Sequence, residues 1–366
     1  MGVRVLLKLI DGVWGLISMI PSILAVGGFF ASRLHPARYM ELQWLGLSLP
    51  LVLAINILLI GYWLARKKGW FIFPLFALLL NIPYLSAVLQ LPFKKIEPAG
   101  RELKVATYNI QQGGDGELSV ISHELSTFMI EEKVDVLCLQ EFPSTGEVQS
   151  KWIEELSNSL PYYTLNSSSP GVMQTALFSR YPILHSQSII FPDGSCNRAM
   201  WADLDIDGQV VKVFNTHLQT TNLNQHRIRP SDNIDRAASR IIQIKDMMNE
   251  NGVIRAQQAD IIRKLIDESA SPVIVCGDFN DTPASYAYRT IKGKLKDSFR
   301  SCGKGYGYTY RYLRKLFRID YIFYSGDKLR GTRYYSPELE YSDHKPVIVT
   351  LDVDFMPFSS RERNRK

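Results

Sequence analysis

Polar and ionisable residues stand at the ends of short apolar runs throughout the part of the chain beyond residue 100. The set comprises Asn109 in Thr-Tyr-Asn-Ile, Glu141 in Leu-Gln-Glu, His217 in Asn-Thr-His-Leu, Asp278 and Asn280 in Gly-Asp-Phe-Asn-Asp, and Asp343 and His344 in Ser-Asp-His. Buried strands that end in this way deliver their last side chains to a shared cleft. Carboxylates, amides and histidines in such a cleft can bind a hard divalent cation and cleave a phosphate ester.

Asp278 and Asn280 lie two residues apart directly after an apolar run. Residues at this spacing on an extended chain face the same side. An Asx turn after Gly277 is the alternative interpretation, but the Asp-Thr-Pro sequence at 281–283 already supplies turn residues. We therefore predict that both side chains face the cleft.

A lone histidine is more often a structural residue than a catalytic one, but His344 has a candidate partner. Asp320 ends an Arg-Ile-Asp run at another strand start, and a carboxylate that fixes the imidazole tautomer is what a catalytic histidine needs. His217 is predicted to be functional by the same reasoning. Arg180 and Arg198 are consistent either with phosphate binding or with simple solvation.

Three long apolar runs occupy the first hundred residues, whereas the remainder has the composition of an ordinary soluble α/β protein. The runs cover 14–30, 42–64 and 70–91. As helices, each is long enough to cross a hydrocarbon core of about 30 Å. A cleaved signal peptide would explain only the first run, and a re-entrant first run, favoured by its glycines and Pro21, would leave two crossings. We predict a transmembrane region over 1–92 with about three helices.

Basic residues in the short loops predict the orientation. Arg4 and Lys8 precede the first run and three basic residues at 66–68 follow the second, whereas Arg33 and Arg38 lie between the two runs. The larger count places the N-terminus in the cytoplasm, and three crossings then place the remainder outside it. We therefore predict an integral protein of a bacterial inner membrane with its catalytic domain outside the cytoplasm. The net charge of +6 reflects this bias and a mildly basic surface rather than a dedicated nucleic-acid patch.

Four cysteines occur without C-x-x-C spacing, which argues against a zinc site or a disulfide framework. Cys138 and Cys276 lie in apolar, strand-like runs and are predicted core residues. Cys196 and Cys302 lie in loop-like sequence and could pair only in an oxidising compartment, which the spacing leaves open.

Beyond a linker at 93–102 that contains proline and glycine, short strands alternate with helices. Strands are predicted at 105–108, 134–139, 176–179, 210–214, 273–276, 321–324 and 346–351, and helices at 118–132, 149–159 and 234–269. A polar stretch at 219–239 is interpreted as an insertion over one rim of a sheet. These elements predict two sheets packed between helices in a domain over 103–356, followed by a basic tail at 357–366.

In their order and separations, these motifs resemble those of the endonuclease/exonuclease/phosphatase superfamily, also called the DNase-I-like fold, and the membrane segment suggests a membrane-anchored bacterial-type member. The resemblance covers about residues 103–354. It implies a four-layer α/β sandwich, with two central β-sheets flanked by helices and an active cleft at one sheet edge. Here that domain is preceded by the N-terminal helical transmembrane segment.

The resemblance also implies a metal site. Glu141 would bind Mg²⁺, with Asn109 beside it and Asp343 near the metal. An exposed acid at a strand end is the alternative interpretation of Glu141, and Asn109 by itself is indistinguishable from a turn residue. Oxygen ligands without thiolates favour Mg²⁺, with Mn²⁺ as a substitute, over Zn²⁺.

The catalytic roles are carried over from the resemblance in the same way. Asp278 would orient or deprotonate the attacking water, and Asn280 would hold the phosphate. His344, supported by Asp320, would stabilise the pentacovalent phosphate and assist proton transfer. His217 would contact the phosphate or the leaving group. No core motif is missing, so we predict an enzyme rather than a receptor for phosphorylated ligands.

Two substrate classes remain open. Nucleic acid is favoured, with hydrolysis of phosphodiester bonds by a nuclease-type activity. The alternative is a phosphatase or phospholipase-type diesterase acting on a lipid head group such as a phosphoinositide or sphingomyelin. The 306–318 stretch, which alternates aromatic and basic residues, suits base stacking beside a phosphate backbone and equally suits an anionic lipid surface.

Overall fold

A computed structural model describes residues 2–91, 100–111, 118–144, 146–166, 174–221 and 234–353. The chain divides into two compact units, of which the first comprises Met1–Ala87, Thr221–Gln257 and Thr282–Thr290. The second comprises Val88–Thr220, Gln258–Asp281 and Ile291–Lys366. The predicted basic tail at 357–366, residues 93–99 of the predicted linker and residues 222–233 of the predicted insertion lie outside the described residues.

Helices and strands alternate in the described part of the chain beyond residue 100. The helices are α1 (Gly2–Ala31), α2 (Leu42–Ala65), α3 (Ile72–Leu80), α4 (Ile82–Val88), α5 (Leu118–Glu131), α6 (Gly146–Ser157), α7 (Ile234–Asp267), α8 (Tyr286–Lys292) and α9 (Ser298–Cys302). The strands are β1 (Leu89–Gln90), β2 (Arg101–Asn109), β3 (Val136–Phe142), β4 (Tyr162–Leu165), β5 (Gln174–Ser179), β6 (Ile183–Ile190), β7 (Arg198–Ile206), β8 (Gln209–His217), β9 (Val273–Asp278), β10 (Lys296–Asp297), β11 (Gly305–Tyr306), β12 (Asp320–Tyr324), β13 (Leu329–Tyr335) and β14 (Val347–Val353).

The apolar N-terminal region forms two helices that are long enough to cross a membrane, Lys8–Ala31 and Leu42–Ala65. A third crossing is possible if the bent pair Gly69–Leu80 and Ile82–Val88 counts as one span. The third apolar run is therefore not the single straight helix that its composition suggests, because α3 and α4 meet at a bend of 58°. Pro83 lacks the N–H that would continue the helical bonding across this point.

Buried polar side chains connect these apolar helices. The bonds run from Ser22 Oγ to Asn56 Oδ1 at 2.9 Å, from Trp63 Nε1 to Ser18 Oγ at 3.0 Å, and from Asn81 Nδ2 to Ala25 O at 3.0 Å. In an apolar surrounding, such interhelical bonds favour association because the unpaired alternative is costly. Helices α1 and α2 and the junction of α3 with α4 are therefore joined by polar contacts.

Two six-stranded sheets form the second unit. The strand orders are β10-β12-β9-β8-β7-β6 in the first sheet and β13-β14-β2-β3-β5-β4 in the second. Each is mixed, since β8 runs parallel to β9 in one and β2 parallel to β3 in the other. Apolar side chains from both sheets share one core, and a second core lies between the second sheet and helices α5 and α6. This confirms the predicted pair of sheets flanked by helices.

Candidate active site

The strand register of the first sheet places three predicted residues side by side. His217 at the end of β8 is paired with Asp278 at the end of the parallel strand β9. Asp278 is also paired with Asp320, which begins the antiparallel strand β12. The C-terminal ends of β8 and β9 and the start of β12 therefore bring three ionisable groups to one edge of the sheet.

Asn109 and Glu141 come from the corresponding edge of the second sheet. Asn109 ends β2, and its Nδ2 donates to Glu141 Oε1 at 3.1 Å and to Asp278 Oδ2 at 3.0 Å. Glu141 lies where the pairing of β3 with β5 shifts register, and its φ of 52° is in the left-handed region. A bulge of this kind redirects a side chain, and backbone strain is commonly found at functional sites. The two sheets thus contribute to the same site.

The backbone conformation at position 277 explains why a glycine precedes Asp278. The φ of Gly277 is 142°, and a Cβ at this position would lie 1.9 Å from the carbonyl oxygen of Thr216 in the neighbouring strand. Any other residue would push β8 and β9 apart just before the site. The glycine therefore permits the close approach that sets His217 beside Asp278.

His344 lies between two carboxylates. Its Nδ1 is 3.0 Å from Asp320 Oδ2, and its Nε2 is 3.7 Å from Asp278 Oδ2. Burial acts to lower the pKa of His344, but the charges of Asp320 and Asp278 and the hydrogen bond with Asp320 outweigh it and raise the pKa to about 10. His344 is therefore protonated at neutral pH, with Nδ1 held by Asp320 and Nε2–H directed into the site.

Asp278 is fully buried and is surrounded by hydrogen-bond donors. The backbone N–H of Asn280 donates to Oδ1 at 2.7 Å, and the Asn280 side chain donates to Oδ2 at 3.1 Å. Burial nevertheless raises the pKa of Asp278 to about 7, against the opposing effect of the His344 charge. A carboxylate with this pKa can accept a proton near neutral pH, which suits a general base.

His217 is buried with no hydrogen-bond partner for either ring nitrogen among the described residues. Its Nε2 lies 3.6 Å from Glu141 Oε1 and 3.7 Å from Asp278 Oδ2. Burial lowers the pKa of His217 although the charge of Glu141 opposes this effect, so the imidazole is neutral. A buried polar group without a partner costs free energy, and a bound substrate oxygen would supply the missing bond.

Carboxylates outnumber cations around this point, which fits a divalent metal. Ligand atoms of Asp278, Asp320 and His344 lie within 4.8 Å of one another, a spacing that would accommodate an ion. A protonated imidazole has no free lone pair, however, and Asp320 already occupies Nδ1 of His344. Glu141 is the better ligand, because its carboxylate is partly exposed, at 18%, and faces the site.

Asp343 is half-buried next to this cluster. Burial raises its pKa, the charge of His344 lowers it, and the charge of Glu141 raises it again. Its Oδ1 is 3.9 Å from His344 Nε2. The structure therefore brings together Glu141, Asn109 and Asp343, the three residues predicted for the metal site.

The two predicted arginines have different positions. Arg198 begins β7 next to the end of β8, and its guanidinium donates to the carbonyls of Ser195 and Asn197 at 2.8 Å. Arg180 follows β5 at the opposite end of the second sheet, where it pairs with Asp135 at 3.3 Å. Six residue steps along the chain separate Asp135 from Glu141, roughly 20 Å at the rise of a strand. Arg180 therefore does not belong to the site.

Sequence reasoning missed the polar support beneath the site. Gln140 Nε2 donates to Asn215 Oδ1 at 2.6 Å, and Asn215 Nδ2 donates to the carbonyls of Leu139 at 3.0 Å and Ala176 at 2.8 Å. These buried amides connect β8 of one sheet with β3 and β5 of the other. Gln140 immediately precedes Glu141, and Asn215 lies two positions before His217. A polar side chain at the end of an apolar run was the available signal.

Tyr310 was also missed. Its backbone forms an isolated bridge with His344, and its ring lies 5.3 Å from the imidazole. Ser342 positions the same segment, since its Oγ donates to Asn109 O at 2.7 Å and accepts from the backbone N–H of His344 at 3.1 Å. These contacts fix the segment that carries His344 against β2.

Comparisons with known proteins agree with this geometry. A family model described as "Endonuclease/Exonuclease/phosphatase family" matches residues 106–344. A second family model, described as a domain of unknown function, matches residues 10–88. No curated protein matches the chain.

Solved structures share the fold at low sequence identity. An endonuclease/exonuclease/phosphatase of Beutenbergia cavernae has a TM-score of 0.51 and 19% identity, over 70% of this chain and 73% of that chain. A family protein of Bacteroides thetaiotaomicron has a TM-score of 0.50 and 20% identity, over 71% and 100%. Humanized D. rerio TDP2 with 14 mutations has a TM-score of 0.50 and 18% identity, over 69% and 99%.

Proposed function

Since the chain belongs to the endonuclease/exonuclease/phosphatase family of phosphoester hydrolases, we propose that it is a membrane-anchored, Mg²⁺-dependent enzyme that hydrolyses phosphodiester bonds. One observation carries this proposal. The Nε2 atoms of His217 and His344 both lie 3.7 Å from Oδ2 of Asp278, and His217 Nε2 is also 3.6 Å from Glu141 Oε1. A phosphate placed at this point meets a base, two imidazoles and a metal-ligand carboxylate.

Asp278, His344 and His217 have different roles in the proposed hydrolysis. Asp278 accepts the proton of the attacking water as its nucleophilic oxygen approaches phosphorus. The Nε2–H of the His344 imidazolium donates to a phosphate oxygen and opposes the charge that develops in the transition state. His217 is neutral and contributes one further hydrogen bond to the phosphate.

Asn280 positions the carboxylate of Asp278. Its Nδ2 is bonded to Leu218 O at 3.0 Å as well as to Asp278, so it connects the ends of β8 and β9. The amide orients the Asp278 carboxylate, and a role in holding the phosphate would require one of these bonds to be exchanged. Arg198 stands near the same edge and would meet the outer part of a substrate.

Glu141, with Asn109 and Asp343 beside it, would hold the metal. A divalent cation there would withdraw charge from the phosphate and lower the barrier to attack. The donor set consists of oxygens, which suits Mg²⁺ or Mn²⁺. A divalent cation would also balance the surplus of negative charge among the clustered carboxylates.

Membrane anchoring is proposed from the helices α1 to α4. One end of the first unit carries ion pairs of Asp11 with Arg66 at 2.6 Å and with Lys68 at 2.9 Å, which join the start of α1 to the turn after α2. Basic residues concentrate at this end, since Lys8 and Lys67 also lie there. By the positive-inside rule this end would face the cytoplasm.

The other end of the same unit carries the loop between α1 and α2. The ring of His35 lies 4.9 Å from that of Tyr286 in α8, and Trp44 Nε1 donates to Asn249 Oδ1 of α7 at 3.1 Å. The loop therefore packs against α7 and α8 within the same unit.

Nucleic acid and lipid head groups are the two candidate substrate classes. The 306–318 stretch, whose sequence suits both classes, forms a shorter binding surface than its sequence suggests. Arg318 is buried and paired with Asp297 at 2.5 Å, and Arg311 is paired with Glu338 at 2.6 Å. The exposed residues that remain are two tyrosines, two leucines and two cations, a mixture that suits a lipid-linked phosphate as well as nucleic acid: Tyr306, Tyr312, Leu313, Arg314, Lys315 and Leu316.

A substrate panel separates these candidates. The purified full-length chain in lipid nanodiscs, with Mg²⁺, would be offered single- and double-stranded DNA, RNA, phosphoinositides and sphingomyelin, with His344→Gln as the inactive control. Release of nucleotides supports the nuclease, and release of a phosphorylated head group or of phosphate from lipid supports the alternative. No turnover of any phosphate ester by the wild type would overturn the proposed function.

A further inference from the structure

Five consecutive residues next to the site project into solvent. This segment, Tyr312–Leu316, is called the rim loop below, and all five of its side chains are exposed. Tyr312 is 46% exposed, Leu313 43% and Leu316 41%. Contiguous exposed apolar side chains of this kind usually mark a surface that contacts a partner or a membrane.

The backbone holds the rim loop in an unusual conformation. Leu313, Arg314 and Lys315 have φ values of 51°, 60° and 57°, all in the left-handed region. For residues with a side chain this conformation is sterically strained. Such strain persists where surrounding structure enforces it and is characteristic of functional segments.

The rim loop lies at the mouth of the active site. Tyr310, two residues before it, pairs with His344 through its backbone and lies 5.3 Å from the imidazole, ring to ring. At its other end, Leu316 O accepts a hydrogen bond from the Tyr306 hydroxyl. A surface that binds the rim loop is therefore brought next to the catalytic histidine.

The strand that follows the apolar helices, β1, pairs with β11, which precedes the rim loop. β1 follows α4 without an intervening residue and pairs with β11, Leu89 opposite Tyr306, while Gly307 N donates to Val88 O at 2.8 Å. Leu89 is 50% exposed and Leu91 68%. The strand that carries the chain out of the apolar region is thus bonded to the strand that leads into the rim loop.

The charge of the rim loop complements an anionic surface. Arg314 and Lys315 are exposed between the two leucines. Of the neighbouring cations, Lys345 is paired with Glu338 at 2.9 Å and Arg318 with Asp297 at 2.5 Å, so their charges are already balanced. Leucines flanking outward-facing cations are the composition of an interfacial lipid contact.

We propose that the rim loop is a second membrane contact, separate from the helices, which inserts Leu313 and Leu316 among the head groups of an anionic bilayer and holds the active-site mouth at its surface. The inference rests on the membrane anchoring in the proposed function. It is independent of which ester is hydrolysed. The consequence is that phosphate esters embedded in the membrane surface reach His344 without leaving the interface.

Depth-dependent fluorescence quenching tests this contact. The full-length chain, with exposed Cys196 changed to serine, would carry Leu313→Cys labelled with an environment-sensitive NBD fluorophore. It would be reconstituted in vesicles of phosphatidylcholine and phosphatidylglycerol containing lipids with a shallow nitroxide quencher. Gln209→Cys, at an exposed position at the other end of β8 from His217, is the matched control, and the Cys196→Ser parent gives the background from other thiols.

The label at position 313 is expected to lose about half or more of its emission to the quencher and to shift to the blue, whereas the control label changes little. Arg314→Glu combined with Lys315→Glu should reduce the quenching, as should removal of phosphatidylglycerol. Removal of phosphatidylglycerol should leave turnover of a water-soluble diester nearly unchanged, because such a substrate reaches the active site without the membrane surface.

Equal quenching at both labelled positions, in chains that stay in the vesicles at alkaline pH, would overturn the inference alone. A spectral change at position 313 that requires added DNA rather than lipid would overturn it as well, in favour of a nucleic-acid contact. Release of the chain from the vesicles by alkaline carbonate would instead contradict the proposed anchoring, and the inference with it.

Discussion

Asp278→Asn is expected to inactivate the enzyme and, over a defined pH range, to remove a pH-dependent loss of stability. Asp278 is fully buried, and burial raises its pKa to about 7. In an unfolded chain an aspartate titrates near ~3.9. Between these values the folded protein retains a proton that the unfolded chain has released, so the free energy of unfolding falls as the pH rises.

The magnitude follows from the width of the pH window. One proton is worth about 1.4 kcal/mol for each pH unit, so a change from about pH 4.5 to about pH 6 should cost the wild type ~2 kcal/mol more than it costs Asp278→Asn, in which the opposing contribution of His217 is the same. His344 does not contribute there, because its pKa of about 10 keeps it protonated in the folded state. Below ~6.5 it is protonated in the unfolded chain as well. For a domain of this size ~2 kcal/mol corresponds to roughly 4–8 °C in Tm.

Thermal unfolding of the metal-free full-length chain in detergent, at both pH values, measures this difference. On going from the lower to the higher pH, the Tm of the wild type should fall by those degrees relative to the Tm of Asp278→Asn. Asp327→Asn, at an exposed turn, controls for removal of a carboxylate and should follow the wild type. Asp278→Asn should also lower kcat by about 10²–10⁴. An unchanged pH dependence of Tm, or more than about a tenth of wild-type kcat, would refute the assigned environment and role.

Three further changes probe the geometry. Asp320→Asn should lower kcat by about 10²–10³ and move the alkaline limb of the kcat/KM profile to lower pH, because His344 loses the charge that most strongly raises its pKa; an unmoved limb would contradict this. Gly277→Ala, whose Cβ would lie 1.9 Å from a backbone oxygen, should lower Tm far more than Gly208→Ala, which meets nothing within 4 Å; equal melting by circular dichroism would exclude the clash. Arg180→Ala should leave kcat/KM unchanged, and a large loss would place it in the site.

Much of the site could be predicted because strand ends in a sheet obey simple geometric rules. Asn109, His217 and Asp278 each end a strand, and the parallel pairs β2–β3 and β8–β9 bring such ends to one edge. Residue type then indicates the chemistry, as in the pairing of His344 with Asp320. Composition and periodicity were also sufficient for the two sheets and for α1 and α2.

The features that escaped prediction depend on tertiary contacts. The bend between α3 and α4 coincides with Pro83 and with Asn81, whose Nδ2 donates to Ala25 O of α1. Arg318 reads as a surface cation, but it is buried because Asp297 lies opposite to pair with it. Local sequence also does not determine the left-handed backbone of Glu141, which arises from a register shift against β5.

The most direct test of metal-dependent phosphoester hydrolysis is the Mg²⁺ dependence of turnover at Glu141. The rate of hydrolysis of bis(p-nitrophenyl) phosphate by the full-length chain would be followed from excess chelator to saturating Mg²⁺, for the wild type and for Glu141→Gln. Glu102→Gln, at the exposed start of β2, is the matched control. We expect no turnover in chelator, saturable recovery with Mg²⁺, and half-maximal recovery at a higher Mg²⁺ concentration in Glu141→Gln alone. Full activity in excess chelator, or identical Mg²⁺ curves for the wild type and Glu141→Gln, would contradict the proposed site.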